Sequence, residues 1–231
     1  EKIMNYTNPF IPQRADPYVV KGPDGNYYFT ASYPAFMNVD AGYDRVILRR
    51  SETVIGLAEA EEITIWKAHN EGVMSKHIWA PEIHYISGKW YVFFAAGEQE
   101  NVWNIRPFVL MCKGQDPIND EWVEMGKMQA NEGDDRSFTE FSLDMTYFEN
   151  NGKHYLIWAE KLDDSSLFMA EINPQEPWKL ISKPILLTKP EYDWEKGYLF
   201  VSIISVLFLS AYPQAYVPTL YVINIIPENE I

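Results

Sequence analysis

A chain of 231 residues, 47% hydrophobic and 15% aromatic, holds enough apolar material to bury the core of one large domain. Its formal net charge of -14 at pH 7, with no cluster of Lys and Arg, excludes nucleic acid and anionic membrane surfaces as partners, because phosphate contacts need grouped cations. The single cysteine, Cys112, excludes an intrachain disulfide framework, and the first ten residues, EKIMNYTNPF, contain no apolar stretch of the secretory type; both readings point to a cytoplasmic protein.

Along the chain helical periodicity is scarce and turn chemistry is frequent. The first distinct unit, DPYVVKGPDGNYYFTAS from Asp16, reads as a β run, a turn at Asp24-Gly25 and a more aromatic β run. From Tyr43, YDRVILRRSETV reads as a strand and a turn. The unit returns as APEIHYISGKWYVFFAA from Ala80, with its turn at Ser87-Gly88, and IRPFVLMCKG from Ile105 reads as a further inner strand with its loop. A third copy, DMTYFENNGKHYLIWAE from Asp144, turns at Asn151-Gly152. Gly25, Gly88 and Gly152 fall in register, 63 and then 64 residues apart. Hairpins at a fixed period predict an all-β fold of the β-propeller kind, one blade per repeat and about four strands per blade. Radial repetition aims the start of each inner strand at one axis, so Asp16 and Asp144 are expected to meet there.

The period then fails. A fourth turn is expected near residue 215, but from Tyr198 through Pro227 the sequence carries no charged residue and no copy of the unit. The expected division is therefore a partial propeller over residues 1–197, with three to three and a half recognisable blades, and an atypical tail over residues 198–231. Three readings compete for the tail. The uninterrupted apolar run before Pro213 is about 15 residues, short of the roughly 20 that span a bilayer, so a membrane partner is expected only if the tail is a true anchor. A divergent fourth blade lacks turn residues at blade spacing. A continuation foreign to the repeat, as a shifted reading frame would give, fits the abrupt break best.

A lone aspartate at a strand start is ordinarily a turn cap. Asp16, however, precedes Pro17, which favours an extended chain, and Asp144 stands in an otherwise apolar β run, where a carboxylate is costly unless paired or used. Two carboxylates in one cleft with aromatic walls are the equipment of glycoside hydrolysis, in which one group activates water and another protonates the leaving oxygen. Of Trp79, Trp90, Trp103, Phe36 and Tyr33, most are expected in the core, and only Trp79 and Phe36 lie on the Asp16 side of the repeats. His69, His84 and His154 read as structural, with no metal-ligand spacing among the four histidines, and Asp134-Asp135 and Asp163-Asp164 read as exposed acidic turns. No phosphate loop, Gly-x-Ser-x-Gly elbow or His-Glu-x-x-His motif is present.

The strings NPFIPQRADPYVVKGPDGNYYFTAS, HIWAPEIHYISGKWYVFFAA and FSLDMTYFENNGKHYLIWAE together resemble glycoside hydrolase family 43, and within it the exo-acting α-L-arabinofuranosidases. The resemblance spans roughly Asn8 to Glu195. It implies a five-bladed propeller that releases terminal α-L-arabinofuranosyl, or β-xylosyl, residues from plant-derived oligosaccharides with inversion. It also implies Asp16 as general base, Asp144 as the aspartate that orients and tunes, and His77, Trp79 and Phe36 as walls of the sugar pocket. No cofactor is implied beyond a structural calcium ion, whose last-blade histidine has no counterpart here. The family's general acid is expected in an Asn-Glu-Gly-Pro-like strand soon after Glu191-Tyr192-Asp193-Trp194-Glu195, where no glutamate follows until Glu228. Asn70-Glu71-Gly72 and Asn131-Glu132-Gly133 copy part of that motif in the wrong blades. Two functions follow: an impaired hydrolase, or a non-catalytic fragment or sugar-binding propeller.

Overall fold

The computed structural model describes residues 9–35 and 42–191. Phe36, the domain boundary at residue 197 and the apolar tail lie outside the described residues. Apart from one turn of 3-10 helix at Ile55–Ala58, the described elements are all strands. β1 (Ala15–Lys21), β2 (Tyr27–Ser32), β3 (Arg45–Ser51) and β4 (Ile63–Lys67) form the first antiparallel sheet. β5 (Val73–Ile86), β6 (Lys89–Glu98), β7 (Arg106–Cys112) and β8 (Trp122–Lys127) form the second. The third contains β9 (Ser142–Asn150), β10 (Lys153–Lys161) and β11 (Ser165–Asn173), and its outer place is filled by two short strands, β12 (Glu176–Leu180) and β13 (Ile185–Thr188), both paired to β11. These are three consecutive blades of a propeller, as the repeat predicts. The run from Ile105 departs from expectation: it is the third strand of its blade, since the inner place is held by β5, which packs against β1 on one side and β9 on the other.

Strand alternation sets what lies between the blades. Along β6, Trp90, Val92, Phe94 and Ala96 point into a core shared with the first blade, where they meet Tyr28, Val46, Leu48 and Ile78. The intervening Tyr91 and Phe93 enter a second core with Met145, Leu156, Trp158 and Phe168 of the third blade. The middle blade is thus apolar on both faces. Its neighbours each keep a smaller apolar cluster on the outer flank, around Phe29, Ile47 and Leu57 in the first blade and around Ile157 and Leu167 in the third.

Two of the three hairpins are tight. Ser87-Gly88 and Asn151-Gly152 close two-residue loops with positive φ at both positions (47° and 88°; 52° and 72°), the backbone that right-twisted strands require. The first hairpin instead closes through residues 22–26, with the Asp24 carboxylate accepting from the Asn26 amide at 3.1 Å. That longer loop accounts for the one-residue difference between the glycine spacings of 63 and 64.

Candidate active site

Each inner strand is interrupted at one equivalent place. In β1, Asp16 and Pro17 together face a single position of β2, since Ala15 pairs with Ser32 and Tyr18 with Thr30. In β5, Trp79 pairs with Ala95 and Glu82 with Phe93, leaving Ala80-Pro81 in the same situation. In β9, Leu143 pairs with Ala159 and Thr146 with Ile157, which leaves Asp144-Met145. These are two-against-one bulges, devices that twist a strand and re-aim a side chain beside a site. The first residue of each is left-handed, with φ of 47° at Asp16, 44° at Ala80 and 53° at Asp144, and the interval is 64 residues from 16 to 80 and again from 80 to 144. A non-glycine residue there costs on the order of 1–2 kcal/mol, so the fold holds three strained positions around one axis and places carboxylates on two of them. Asp16 does not have the plain extended backbone that Pro17 suggests. The proline sits at the unpaired bulge position, where a missing N–H leaves no ladder bond unmade.

The two carboxyls are electrostatically coupled. Asp144 is pushed up to about 8, first by burial and then by the negative charges of Asp16 and Glu82. Asp16 is also pushed upward by burial, while a hydrogen bond donated by Ser32 Oγ to Oδ2 at 2.8 Å pulls the other way. Asp16 keeps an exposed edge although protein crowds its carboxyl, so solvent tempers the burial effect, and Asp16 is the member of the pair that ionises first. The Tyr43 phenol feels the same charge: its pKa is raised by burial and by Asp16.

An aromatic wall rises from the second blade. Three successive bulges in β5 contain the left-handed residues Met74, His77 and Ala80. They bring the His77 ring to 4.5 Å from Trp79 and 5.2 Å from Trp103, with Tyr43 edge-on to Trp79 at 6.1 Å, between ring centroids. Burial, and then Lys76, lowers the His77 pKa, so its ring is neutral at pH 7. His77 and Trp79, both expected to line a sugar pocket, therefore stand side by side. Trp103, expected to be core, is 61% exposed and extends the wall. Along the inner strands, His84 hydrogen-bonds Glu82 at 3.0 Å and the Tyr18 hydroxyl at 3.3 Å, joining the first two blades. Sequence reasoning missed Ser32, Tyr43, Glu82 and Trp103. Only Ser32 left a signal, as a hydroxyl where the other two repeats have alanine.

The strand that delivers Asp144 is fixed by a carboxylate the sequence did not single out. Glu160, 1% exposed, accepts from the backbone amides of Phe138, Thr139 and Glu140 at 3.1 to 3.2 Å and from the Trp158 indole at 2.9 Å. It ties down the approach to β9. A cavity of about 840 Å³ lies away from the aspartates, between the second blade and the 130–139 loop, lined by Glu98, Asn104, Arg106 and Phe138 among others. The coupled carboxyls, rather than this cavity, mark the chemistry, because Asp144 is pushed far upward by burial and by the charge of Asp16 beside it. Among the described residues no group of three or more His, Cys, Asp and Glu is arranged to hold a metal ion, and no helix is long and apolar enough to cross a membrane.

Comparison with known proteins gives the same picture. Over 194 residues the chain is 45% identical to an extracellular exo-α-(1→5)-L-arabinofuranosidase of Streptomyces chartreusis, a match that covers 82% of this chain and 55% of that protein. Alpha-L-arabinofuranosidase 43 of Humicola insolens is 42% identical over 201 residues, 84% of this chain and 38% of the relative. The chain thus spans about half, or less, of the length of the relatives it matches. The crystal structure of an α-L-arabinofuranosidase from Lactobacillus brevis superposes with a TM-score of 0.71 at 42% identity, covering 85% of this chain and 60% of that one. The expectation of a cytoplasmic protein is overturned by the relatives: the Streptomyces chartreusis and Streptomyces avermitilis enzymes are both named extracellular. The inference failed because a chain with one buried cysteine has no intrachain disulfide to form in either compartment. The family model for glycosyl hydrolases family 43 matches residues 6–201, and with three propeller blades and two bulge aspartates on one axis the chain belongs to that family.

Proposed function

We propose that this chain carries the base side of an inverting α-L-arabinofuranosidase site that acts on plant-derived arabino-oligosaccharides outside the cell. The observation that carries the reading is the pair of aspartates on equivalent left-handed bulges, with Asp144 pushed up to about 8 by burial and by the charge of Asp16 beside it. Asp16 takes a proton from a water as that water's oxygen bonds to the anomeric carbon, and the glycosidic oxygen leaves from the opposite face with a proton from a general acid. Asp144 keeps a neutral, proton-bearing neighbour next to the base and orients the sugar. His77 and Trp79 supply an apolar wall against the furanose ring, and the fold needs no cofactor for these steps.

A second reading, a propeller that binds arabinose-containing sugars without hydrolysing them, is favoured by one feature: no carboxylate occurs between Glu195 and Glu228. The two readings part in one experiment. Replacing residues after 191 by the corresponding C-terminal part of the Streptomyces chartreusis enzyme should give a completed propeller that releases arabinose from α-1,5-arabino-oligosaccharides. The β-anomer should appear first by NMR, and the unaltered chain should turn over about 10² to 10⁴ more slowly for want of the acid. First appearance of the α-anomer, release of xylose in preference to arabinose, or turnover that survives Asp16→Asn would overturn the proposal. A chain that binds arabino-oligosaccharides while its completed form stays inert would establish the binding module instead.

A further inference from the structure

Ser32 closes β2 and is fully buried. Its hydroxyl stands 2.8 Å from Asp16 Oδ2 and 2.7 Å from the backbone nitrogen of Ala80, on the neighbouring blade. The amide can only donate, so the hydroxyl oxygen accepts there and its single proton is left for the carboxylate. The matching places in the other blades hold Ala95, opposite Trp79, and Ala159, opposite Leu143, just as Ser32 is opposite Ala15. Blade packing is therefore satisfied by alanine. A hydroxyl is present only in the blade whose aspartate abstracts the proton, and the Ala80 bulge, which carries no carboxylate, contributes the amide that aims it.

We propose that Ser32 is a positioning residue for the general base: oriented by the Ala80 amide, its hydroxyl holds the Asp16 carboxylate in one rotamer and in the ionised form. The inference rests on the reading of Asp16 as base, but its first test needs no turnover. Asp16 is also faced by Asp144 from β9, which in turn feels Glu82 with its partner His84 from β5, and by the Tyr43 phenol ahead of β3. All of these remain in a Ser32 variant, so the difference between the two proteins isolates the hydroxyl.

The 231-residue chain, labelled with carboxyl-¹³C aspartate and with Asp16 assigned through Asp16→Asn, gives the titration midpoint of Asp16 directly. Ser32→Ala should raise that midpoint by about one to two units, the range for a hydrogen bond to a charged group, and Ser32→Thr should return it toward the starting value. In the unsubstituted chain the Ala80 amide shift should titrate with the Asp16 midpoint, because the two share one hydroxyl. An unchanged midpoint in Ser32→Ala, or an Ala80 amide blind to Asp16, would overturn the proposal, and the second measurement decides alone if Ser32→Ala does not fold. In the completed propeller the acid limb of the kcat/KM profile should move up by the same amount with KM unaltered. A completed propeller without activity would refute the hydrolase reading while leaving the titration to judge Ser32.

Discussion

Asp16 in the first blade and Asp144 in the third occupy the same place, the left-handed residue of a two-against-one bulge, with φ of 47° and 53°, but their carboxyls meet different surroundings. Asp16 is open to solvent on one side and accepts a hydrogen bond from the Ser32 hydroxyl. Asp144 is crowded by burial and by two acidic neighbours, with Ala159 at the place that corresponds to Ser32. One backbone device thus sets two aspartates in unequal surroundings, and environments that push two carboxyls apart are what acid–base chemistry uses. The supports differ as well. Entry to β1 is secured near the surface, where Arg14 pairs with Glu62, which also pairs with Arg49. Entry to β9 is secured in the interior by Glu160 and the amides it gathers.

The largest expected effect concerns the base. In the completed propeller Asp16→Asn should lower kcat on arabino-oligosaccharides by about 10² to 10⁴, measured by reducing-sugar release; a loss below tenfold would mean that the two aspartates do not divide the roles as described. Next comes the interior support of the third blade. Glu160→Gln replaces an acceptor of four hydrogen bonds by an amide that brings donors of its own, so it should destabilise the chain by about 1–3 kcal/mol in urea unfolding, whereas Glu62→Gln, at the partly buried ion-paired support of the first blade, should have a smaller effect.

A third test uses pH. A carboxyl whose pKa is higher in the folded chain than the unfolded value of about 3.9 binds more protons when folded, so the stability it contributes is full below about pH 4 and is lost as pH rises toward the Asp144 value of about 8. Thermal melts should fall between pH 5 and pH 8, and Asp144→Asn should flatten that slope, each kcal/mol relieved appearing as about 2–4 °C in Tm. Asp16→Asn should flatten it less directly, by removing the charge that raises Asp144. The smallest effect is expected on the aromatic wall. Trp103→Ala should raise KM about two- to tenfold with kcat unchanged, the worth of one stacking contact, while Trp79→Ala, half-buried and touching Tyr43 and His77, should exceed it.

Much of this molecule was legible along the chain. Period-2 alternation and positive-φ turn residues act locally, so the three hairpins, their spacing of 63 and 64 residues and the all-β propeller follow from residues close in sequence. The aspartates stood out because a repeat aligns them with Ala80, a position where a carboxylate is not needed for folding. What the tertiary structure alone decided depends on contacts across blades. The left-handed bulges arise from pairing register rather than from glycine, so nothing local at Asp16 or Asp144 announces them. Ser32 meets Ala80 across 48 residues, and the Glu160 carboxylate meets its amides across about 20. Trp103 lies on a loop whose path is set by the blade beneath it. The upward push on Asp144 likewise exists only once burial and two distant carboxyls converge, since charge coupling depends on separation in space and on local dielectric, neither of which a linear sequence contains.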